Sequence, residues 1–261
     1  MRSRLSVLPA LVRVALMTAV QYRASFVVEF FVGAGTAVGV VLPLAFVFDQ
    51  APKVAGWTFH ESLLVAAFFL VLQAVIGGLL EPNLGALVEG IRSGQLDYLL
   101  LKPPDAQLVA SMSRVAPARA WDLAAGVGVA GWALAELPTP PSGAFATAAA
   151  LLAAGVAAVY GLWILAICTS FWFVRVDNLR YLLGAVTDAG RWPVTVYTGF
   201  ARVFLTMIVP VALVTSYPAL ALVGRLESGL VWQAVGVGAG MLVVSRIAWK
   251  LALRHYTSAS S

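Results

Sequence analysis

Residues 62–81 read Ser-Leu-Leu-Val-Ala-Ala-Phe-Phe-Leu-Val-Leu-Gln-Ala-Val-Ile-Gly-Gly-Leu-Leu-Glu, with one amide inside the run and one carboxylate at its end. An α-helix rises about 1.5 Å per residue, so about 20 apolar residues cross the hydrocarbon core of a bilayer. Of the 261 residues in the chain, 61% are hydrophobic and only 11% are charged. Soluble domains are about 25% charged. The stretch and its setting therefore predict an all-α membrane protein.

Further apolar runs on both sides of this stretch predict six transmembrane helices. Five of them are at about 26–48, 62–81, 120–137, 144–173 and 229–249. The fifth span in chain order has two interpretations. Hydropathy alone favours 203–223. In the alternative, 179–197 is the span, Asp188 and Arg191 pair at three-residue spacing, and 199–222 is a re-entrant hairpin, which is tolerated at membrane depth only when packed against protein.

The basic residues alternate with the apolar runs in four clusters. Fifteen of the seventeen Lys and Arg residues belong to them: Arg2, Arg4, Arg13 and Arg23; Arg92, Lys102, Arg114 and Arg119; Arg175, Arg180, Arg191 and Arg202; Arg246, Lys250 and Arg254. Positive charge follows the cytoplasmic side of a bilayer. The pattern predicts a multi-pass protein of the cell (inner) membrane with both termini in the cytoplasm. Anionic membrane lipid is then the expected partner of the net charge of +5, and nucleic acid is not.

The first residues are predicted to form an interfacial helix. Residues 5–24 place apolar side chains at helical spacing against Arg13 and Arg23. Because these arginines would be costly at membrane depth, an amphipathic helix in the inner interface is favoured over the first half of a longer span. Pro9 and Arg13 interrupt a signal-peptide pattern, so the segment is expected to be retained.

Residues 83–104 form the most polar internal stretch of the chain. One helical face carries Leu84, Leu87, Val88 and Ile91, and the opposite face carries Glu89 and Arg92. Ser93-Gly94 is expected to break this helix, and a second short helix ends before Pro103-Pro104. On a cytoplasmic face the apolar stripe must be covered by lipid headgroups or by a partner protein, and the sequence alone leaves both open.

Small residues and one amide inside the spans predict helix contacts. Gly35 and Gly39, like Gly236 and Gly240, form the small-x-x-x-small pattern that lets another helix approach closely. Gln73 lies within an apolar run, where its amide needs a hydrogen-bond partner on a neighbouring helix.

Motifs for chemistry are absent from the sequence. There is no His-Glu-x-x-His, no Gly-x-Ser-x-Gly and no Gly-x-x-x-x-Gly-Lys-[Ser/Thr]. Cys168 is the only cysteine and lies in an apolar run, where a thiol behaves as a small buried hydrophobe. An intramembrane enzyme is therefore disfavoured, and neither a catalytic site nor a metal site is expected in this chain.

The stretch 89–103, Glu-Gly-Ile-Arg-Ser-Gly-Gln-Leu-Asp-Tyr-Leu-Leu-Leu-Lys-Pro, resembles a segment of a known family. It is similar to the cytoplasmic segment between the second and third spans of ABC type-2 permeases. Further similar segments follow at 171–179, 191–197, 202–210 and 216–225. The resemblance covers nearly the whole chain.

This resemblance implies a single transmembrane permease domain over residues 1–261 that pairs with a second permease, identical or related. Two copies of a separate ABC ATPase subunit would bind its cytoplasmic face, and ATP and Mg²⁺ would be held by that partner, with no cofactor on this chain. Residues 84–102 would form the coupling segment, flanked by 5–24. Its expected ATPase contacts are Leu87, Val88, Glu89, Ile91, Arg92, Leu96 and Leu99.

The family resemblance also favours 179–197 as the fifth span, with the re-entrant hairpin at 199–222, which moves Arg191 and Arg202 outward. Asp188 and Arg191 make that span unusually polar. They would contact a polar substrate group if they face the dimer seam on the translocation path, and are structural if they pair with each other.

The resemblance thus implies the permease subunit of an ATP-driven exporter of a lipid, glycolipid or hydrophobic small molecule. The alternative is an ion-coupled secondary transporter or channel, which would place ionisable residues at the bilayer midplane and often shows inverted repeats. Co-purification of an ATPase separates the two.

Overall fold

The computed structural model describes residues 23–101, 105–112, 114–171 and 177–255. Four helical stretches within them are long and apolar enough to cross a membrane: Val27–Gln50, Phe59–Ile91, Ala144–Phe171 and Ser228–Arg254. A fifth candidate is a pair of helices, Gly199–Ile208 and Val211–Leu222, bent by 68° at the break between them. The all-α membrane class is confirmed, whereas the count of six spans stays a prediction. The predicted interfacial helix at 5–24 lies almost entirely outside the described residues.

The α-helices of the described chain are α1 (Arg23–Gln50), α2 (Phe59–Val75), α3 (Glu81–Arg92), α4 (Leu96–Leu100), α5 (Ala106–Met112), α6 (Ala120–Ala135), α7 (Ala144–Cys168), α8 (Asp177–Thr187), α9 (Gly199–Val203), α10 (Val211–Val214), α11 (Ser216–Leu222) and α12 (Ser228–Arg254). The π-helical turns Ile76–Leu80 and Phe204–Ile208 extend α2 and α9. Four 3₁₀ turns lie at Pro117–Arg119, Thr169–Phe171, Asp188–Arg191 and Val194–Val196.

The second span does not end at Glu81-Pro82, as the sequence predicts, but continues as one helical stretch to Ile91. Pro82 has no N–H to offer the carbonyl of Gly78 one turn earlier. That carbonyl instead accepts a hydrogen bond from the N–H of Ala116 at 2.9 Å. Because the backbone acceptor freed by the proline is satisfied by another segment, the helix passes Pro82 without losing a buried hydrogen bond.

The predicted third span corresponds to α6, which has only 16 residues and is shorter than the run of about 20 that crosses a bilayer unaided. It packs closely on α2, since a Cβ at Gly126 would lie 2.9 Å from the carbonyl oxygen of Ala67. The rings of Phe30 and Trp121 join α6 to α1 at 4.8 Å between centroids. The three-residue spacing of Arg119 and Asp122 predicts a pair on one helix face, and the pair is formed, with 3.3 Å between Asp122 Oδ2 and Arg119 Nη1.

Helices α7 and α12 are in close backbone contact. A Cβ at Gly161 would come within 2.7 Å of the carbonyl oxygen of Met241, and one at Gly238 within 2.6 Å of the carbonyl oxygen of Ala154. At the glycines that the sequence singled out, Gly35, Gly39, Gly236 and Gly240, a Cβ would meet no described atom within 4 Å. Their small-x-x-x-small patterns therefore do not pack helices within the described chain.

Neither interpretation of the fifth span is an unbroken helix. In 179–197 the helix α8 ends at Thr187, and 3₁₀ turns separated by Trp192 and Pro193 follow. In 203–223 the helical path breaks at Val209-Pro210, where proline cannot donate a backbone hydrogen bond.

A tight turn marks one end of the bundle, here named the Trp57 end. Val54 and Trp57 exchange two backbone hydrogen bonds of 3.0 Å, and Ala55 and Gly56 between them have φ of 49° and 85°. The Nε1–H of Trp57 donates to Thr195 Oγ1 at 2.8 Å. Arg225 donates to the carbonyl of Gly56 at 2.8 Å. Chain positions 195 and 225 therefore meet at the same turn.

Candidate functional site

The polar stretch after α2 folds into a closed unit, because its two ends are tied by one side chain. Asn83 is buried, and its Nδ2–H donates to the carbonyl of Arg114 at 2.7 Å while its Oδ1 accepts from the N–H of Arg114 at 2.7 Å. An amide that pairs with both backbone groups of one residue imitates a strand pair. The predicted break at Ser93-Gly94 is confirmed, with Gly94 at a φ of 75°.

The apolar stripe of α3 is covered by the chain itself. Leu87 and Leu96 are buried in a cluster with Ile164 of α7 and Trp249 of α12. Val88 and Ile91 are half-buried and pack against the same cluster. The sequence allowed two coverings for this apolar stripe, lipid headgroups or a partner protein. The structure shows a third, because other helices of the same chain cover it.

The predicted coupling segment, 84–102, also has an exposed side. Glu89 is exposed, Tyr98 is 74% exposed and Leu101 is 81% exposed. We refer to these three residues as the exposed coupling residues. The side chains of Arg92 and Leu99 lie outside what the structure describes. Two of the exposed coupling residues, Tyr98 and Leu101, were not among the predicted contacts, although their apolar bulk beside charged residues is the signal that marks an interaction surface.

A polar cluster that sequence reasoning missed lies beside this segment. Its members are Asp105, Gln107 and Ser111 from α5 and its start, Tyr160 of α7 and Arg246 of α12. Hydrogen bonding from the Arg246 side chain, opposed by partial burial and assisted by the N–H of Leu108, holds the pKa of Asp105 below its ordinary value. Arg246 belongs to the last of the four basic clusters, which in the sequence indicated only how the chain is oriented in the membrane.

The predicted pair Asp188 and Arg191 is formed, with 3.3 Å between Oδ2 and Nη2. Asp188 also supplies the partner that the Gln73 amide requires, since Gln73 Nε2–H donates to Asp188 Oδ1 at 3.1 Å. The Arg191 guanidinium also lies 5.7 Å from the centroid of the Phe69 ring. The side chain of Asp188 is 46% exposed and that of Arg191 is 35% exposed, so the ion pair lies at the surface of the chain.

A helical bundle with several apolar helices long enough to cross a membrane, the second of which continues into a folded polar segment, defines a multi-pass membrane protein. The family model described as "ABC-2 family transporter protein" matches residues 34–260, and the chain belongs to this family. The resemblance to ABC type-2 permeases is thereby confirmed. Comparisons with the curated proteins and with the solved structures gave no match.

Membership in the ABC-2 transporter family establishes the general class of function. The chain is the membrane permease of an ABC transporter and not itself the ATPase. Such a permease associates with an ABC ATPase subunit.

Proposed function

We propose that the chain is the permease subunit of an ATP-driven exporter that moves a lipid, glycolipid or hydrophobic small molecule outward across the cell (inner) membrane. Two ATPase subunits, which hold the ATP and Mg²⁺, dock on the cytoplasmic face, and a second permease, identical or related, completes the complex. The observation that carries the proposal is the coupling segment, whose apolar stripe is buried in the chain's own core while Tyr98 and Leu101 project from it.

In the proposed mechanism, ATP draws the two ATPase subunits together, and the coupling segment moves with them. Asn83 ties the two ends of the segment together, and the apolar stripe of the segment packs on α7 and α12. The coupling segment therefore moves as a unit with those two helices. A small rigid-body tilt between the two permeases then opens or closes the path at their seam. Such tilting is the motion expected of packed helices, which do not deform continuously.

The first prediction concerns the exposed coupling residues. Tyr98→Ala is expected to weaken ATPase binding by about 2 kcal/mol, or roughly thirtyfold, because a Tyr in the middle of a docking surface is often a hot spot. The measurement is the amount of ATPase that co-elutes with the tagged permease purified with its natural membrane neighbours.

The matched control for this variant is Tyr181→Ala. Tyr181 is 77% exposed, close to the exposure of Tyr98, but lies on α8 outside the coupling segment. It should leave co-elution unchanged. An unaltered chain that binds no ATPase and transports under an ion gradient would contradict the proposed function and favour the secondary transporter.

The topology is also part of the proposal: the chain crosses the membrane at 179–197, and 199–222 enters and returns as a re-entrant hairpin. Support comes from the two contacts at the Trp57 end, because Thr195 and Arg225 flank the hairpin and both bond to the Val54–Trp57 turn. Both termini are then cytoplasmic. Four basic residues lie outward, Lys53, Arg191, Arg202 and Arg225, and thirteen lie inward, which agrees with the positive-inside rule.

The second prediction tests this topology by labelling single cysteines in a Cys168→Ala background, since Cys168 is the chain's only cysteine. Thr198 and Glu227 are both exposed. Cysteines at these positions should both react with an impermeant maleimide in right-side-out vesicles.

The control for the labelling is a cysteine at the exposed Gln95, which should react only in inside-out vesicles. Labelling of positions 198 and 227 from opposite sides would instead make 203–223 the fifth span and remove the hairpin.

Asp188 and Arg191 pair with each other, as the structural alternative requires, and their partly exposed side chains are proposed to line the translocation path as well. An ion pair with both side chains partly exposed is costly against lipid, and it is better accommodated where polar groups or water face it. Gln73 joins the pair to α2 and would hold it in position.

A further inference from the structure

Asp105, three residues after the end of the coupling segment, is joined to the last helix by an ion pair between distant parts of the chain. Arg246 on α12 donates through Nη1 to Asp105 Oδ1 at 2.9 Å and through Nη2 to Asp105 Oδ2. Its Nη1 also donates to Gln107 Oε1 at 2.9 Å. Two parallel N–H to carboxylate bonds hold both groups in one geometry, which a single bond does not.

Asp105 has a second role in the same place, as the residue preceding α5. Its Oδ1 accepts hydrogen bonds from the N–H groups of Gln107 at 3.0 Å and Leu108 at 3.3 Å. These are the bonds of a helix N-cap. One carboxylate therefore holds the start of α5 and the side of α12 together, and hydrogen bonding from Arg246 lowers the pKa of Asp105 from an ordinary value that is already well below neutral pH.

A weaker, uncharged contact connects α5 to α7. The hydroxyl of Tyr160 lies 2.9 Å from Ser111 Oγ, and Gln107 Nε2–H donates to it at 3.5 Å. Hydrogen bonds that involve charged groups are roughly twice as strong as neutral ones. The firmer of the two polar attachments of α5 is thus the one to α12.

We propose that Asp105 and Arg246 are positioning residues that transmit the movement of the coupling segment to α12. The proposal rests on the proposed function, because it assumes that an ATPase moves this segment. A push on the exposed coupling residues passes from α4 to α5 and through the ion pair to α12. The last helix then follows the ATPase through the ion pair as well as through the apolar packing of the coupling segment, and α7 follows through the same packing.

The test compares spin-label distances between α5 and α12 in the purified permease–ATPase complex. Labels are placed at Leu108 and Leu251, both exposed, in a Cys168→Ala background. In the otherwise unaltered complex, trapping with ATP, Mg²⁺ and vanadate should leave the single distance unchanged. In Asp105→Asn, which retains an N-capping side chain but not the charge, trapping should replace it by a broader and longer distribution.

Arg246→Gln, which removes the charge of the partner and leaves the Asp105 N-cap intact, should broaden the distance on trapping in the same way as Asp105→Asn. The control is Arg254→Gln, an exposed charge on the same helix that should change nothing. Melting temperatures of the labelled variants exclude unfolding as the cause of a broadened distance.

The outcomes separate the two proposals. If no ATPase binds the unaltered chain, the proposed function and this inference both fall. If the ATPase binds and Asp105→Asn keeps one unchanged distance on trapping, the inference alone is overturned. An unchanged single distance in Arg246→Gln on trapping also overturns it, since this variant removes the ion pair and keeps the N-cap.

Discussion

Gly238→Ala is expected to lower the melting temperature of the purified permease by several degrees. A Cβ at this position would lie 2.6 Å from the carbonyl oxygen of Ala154, and backbone cannot turn aside as a side chain does. Helices α7 and α12 would have to separate, which costs about 2 kcal/mol as overpacking of a close contact. This outweighs the gain of up to about 1 kcal/mol that alanine brings over glycine inside a helix.

The control for this substitution is on the same helix. Gly240→Ala adds the same methyl group two residues away, where a Cβ meets nothing within 4 Å among the described residues. It should leave the melting temperature unchanged or raise it slightly, by the helix propensity of alanine. Equal melting temperatures for Gly238→Ala and Gly240→Ala would show that α7 and α12 do not meet at this glycine.

Trp57→Ala is expected to be the most destabilising single truncation at the Trp57 end, by about 3–5 kcal/mol. Trp57 is 2% exposed, donates to Thr195 and lies under the Arg225 guanidinium, which is 4.9 Å from the ring centroid. The substitution leaves a cavity and removes the contact that joins the two ends of 196–224. The free energy of unfolding in detergent, from denaturant titration, measures the effect.

Trp232→Ala is the matched control for Trp57→Ala. Trp232 is 77% exposed, so its truncation should change the free energy of unfolding by less than about 0.5 kcal/mol, as at most surface sites. In addition, Trp57→Phe should cost about 1 kcal/mol, because it retains most of the ring but loses the hydrogen bond to Thr195. A Trp57→Ala variant as stable as Trp232→Ala would contradict the role of Trp57 in joining the two ends of 196–224.

Local patterns in the sequence were reliable where neighbours in the chain decide the outcome. The membrane class and helices near 26–48, 144–173 and 229–249 follow from apolar length, and the pairs Arg119–Asp122 and Asp188–Arg191 follow from helical spacing. The break at Gly94 follows from its tolerance of positive φ. The passage of the second helix through Pro82 was not predictable, because the group that satisfies the Gly78 carbonyl comes from Ala116.

In the candidate site, too, the sequence predicts the local features and only the packing of distant helices decides the rest. Periodicity correctly placed Leu87 and Ile91 on one face of α3, but it could not say that α7 and α12 cover that face. Spacing drew attention to Gly236 and Gly240, whereas the close contact is made by Gly238 on the opposite side of the helix.

By itself, the sequence determined that the chain is an all-α membrane protein, which stretches are apolar enough to span, and that 84–102 resembles the coupling segment of a permease. These are properties of composition and short-range spacing. Only the tertiary structure decided that Asp105 meets Arg246 and that Trp57 meets both Thr195 and Arg225. The residues of each pair are separated by more than a hundred positions, and no periodic pattern in the sequence relates them. The contacts therefore form only when the helices pack together.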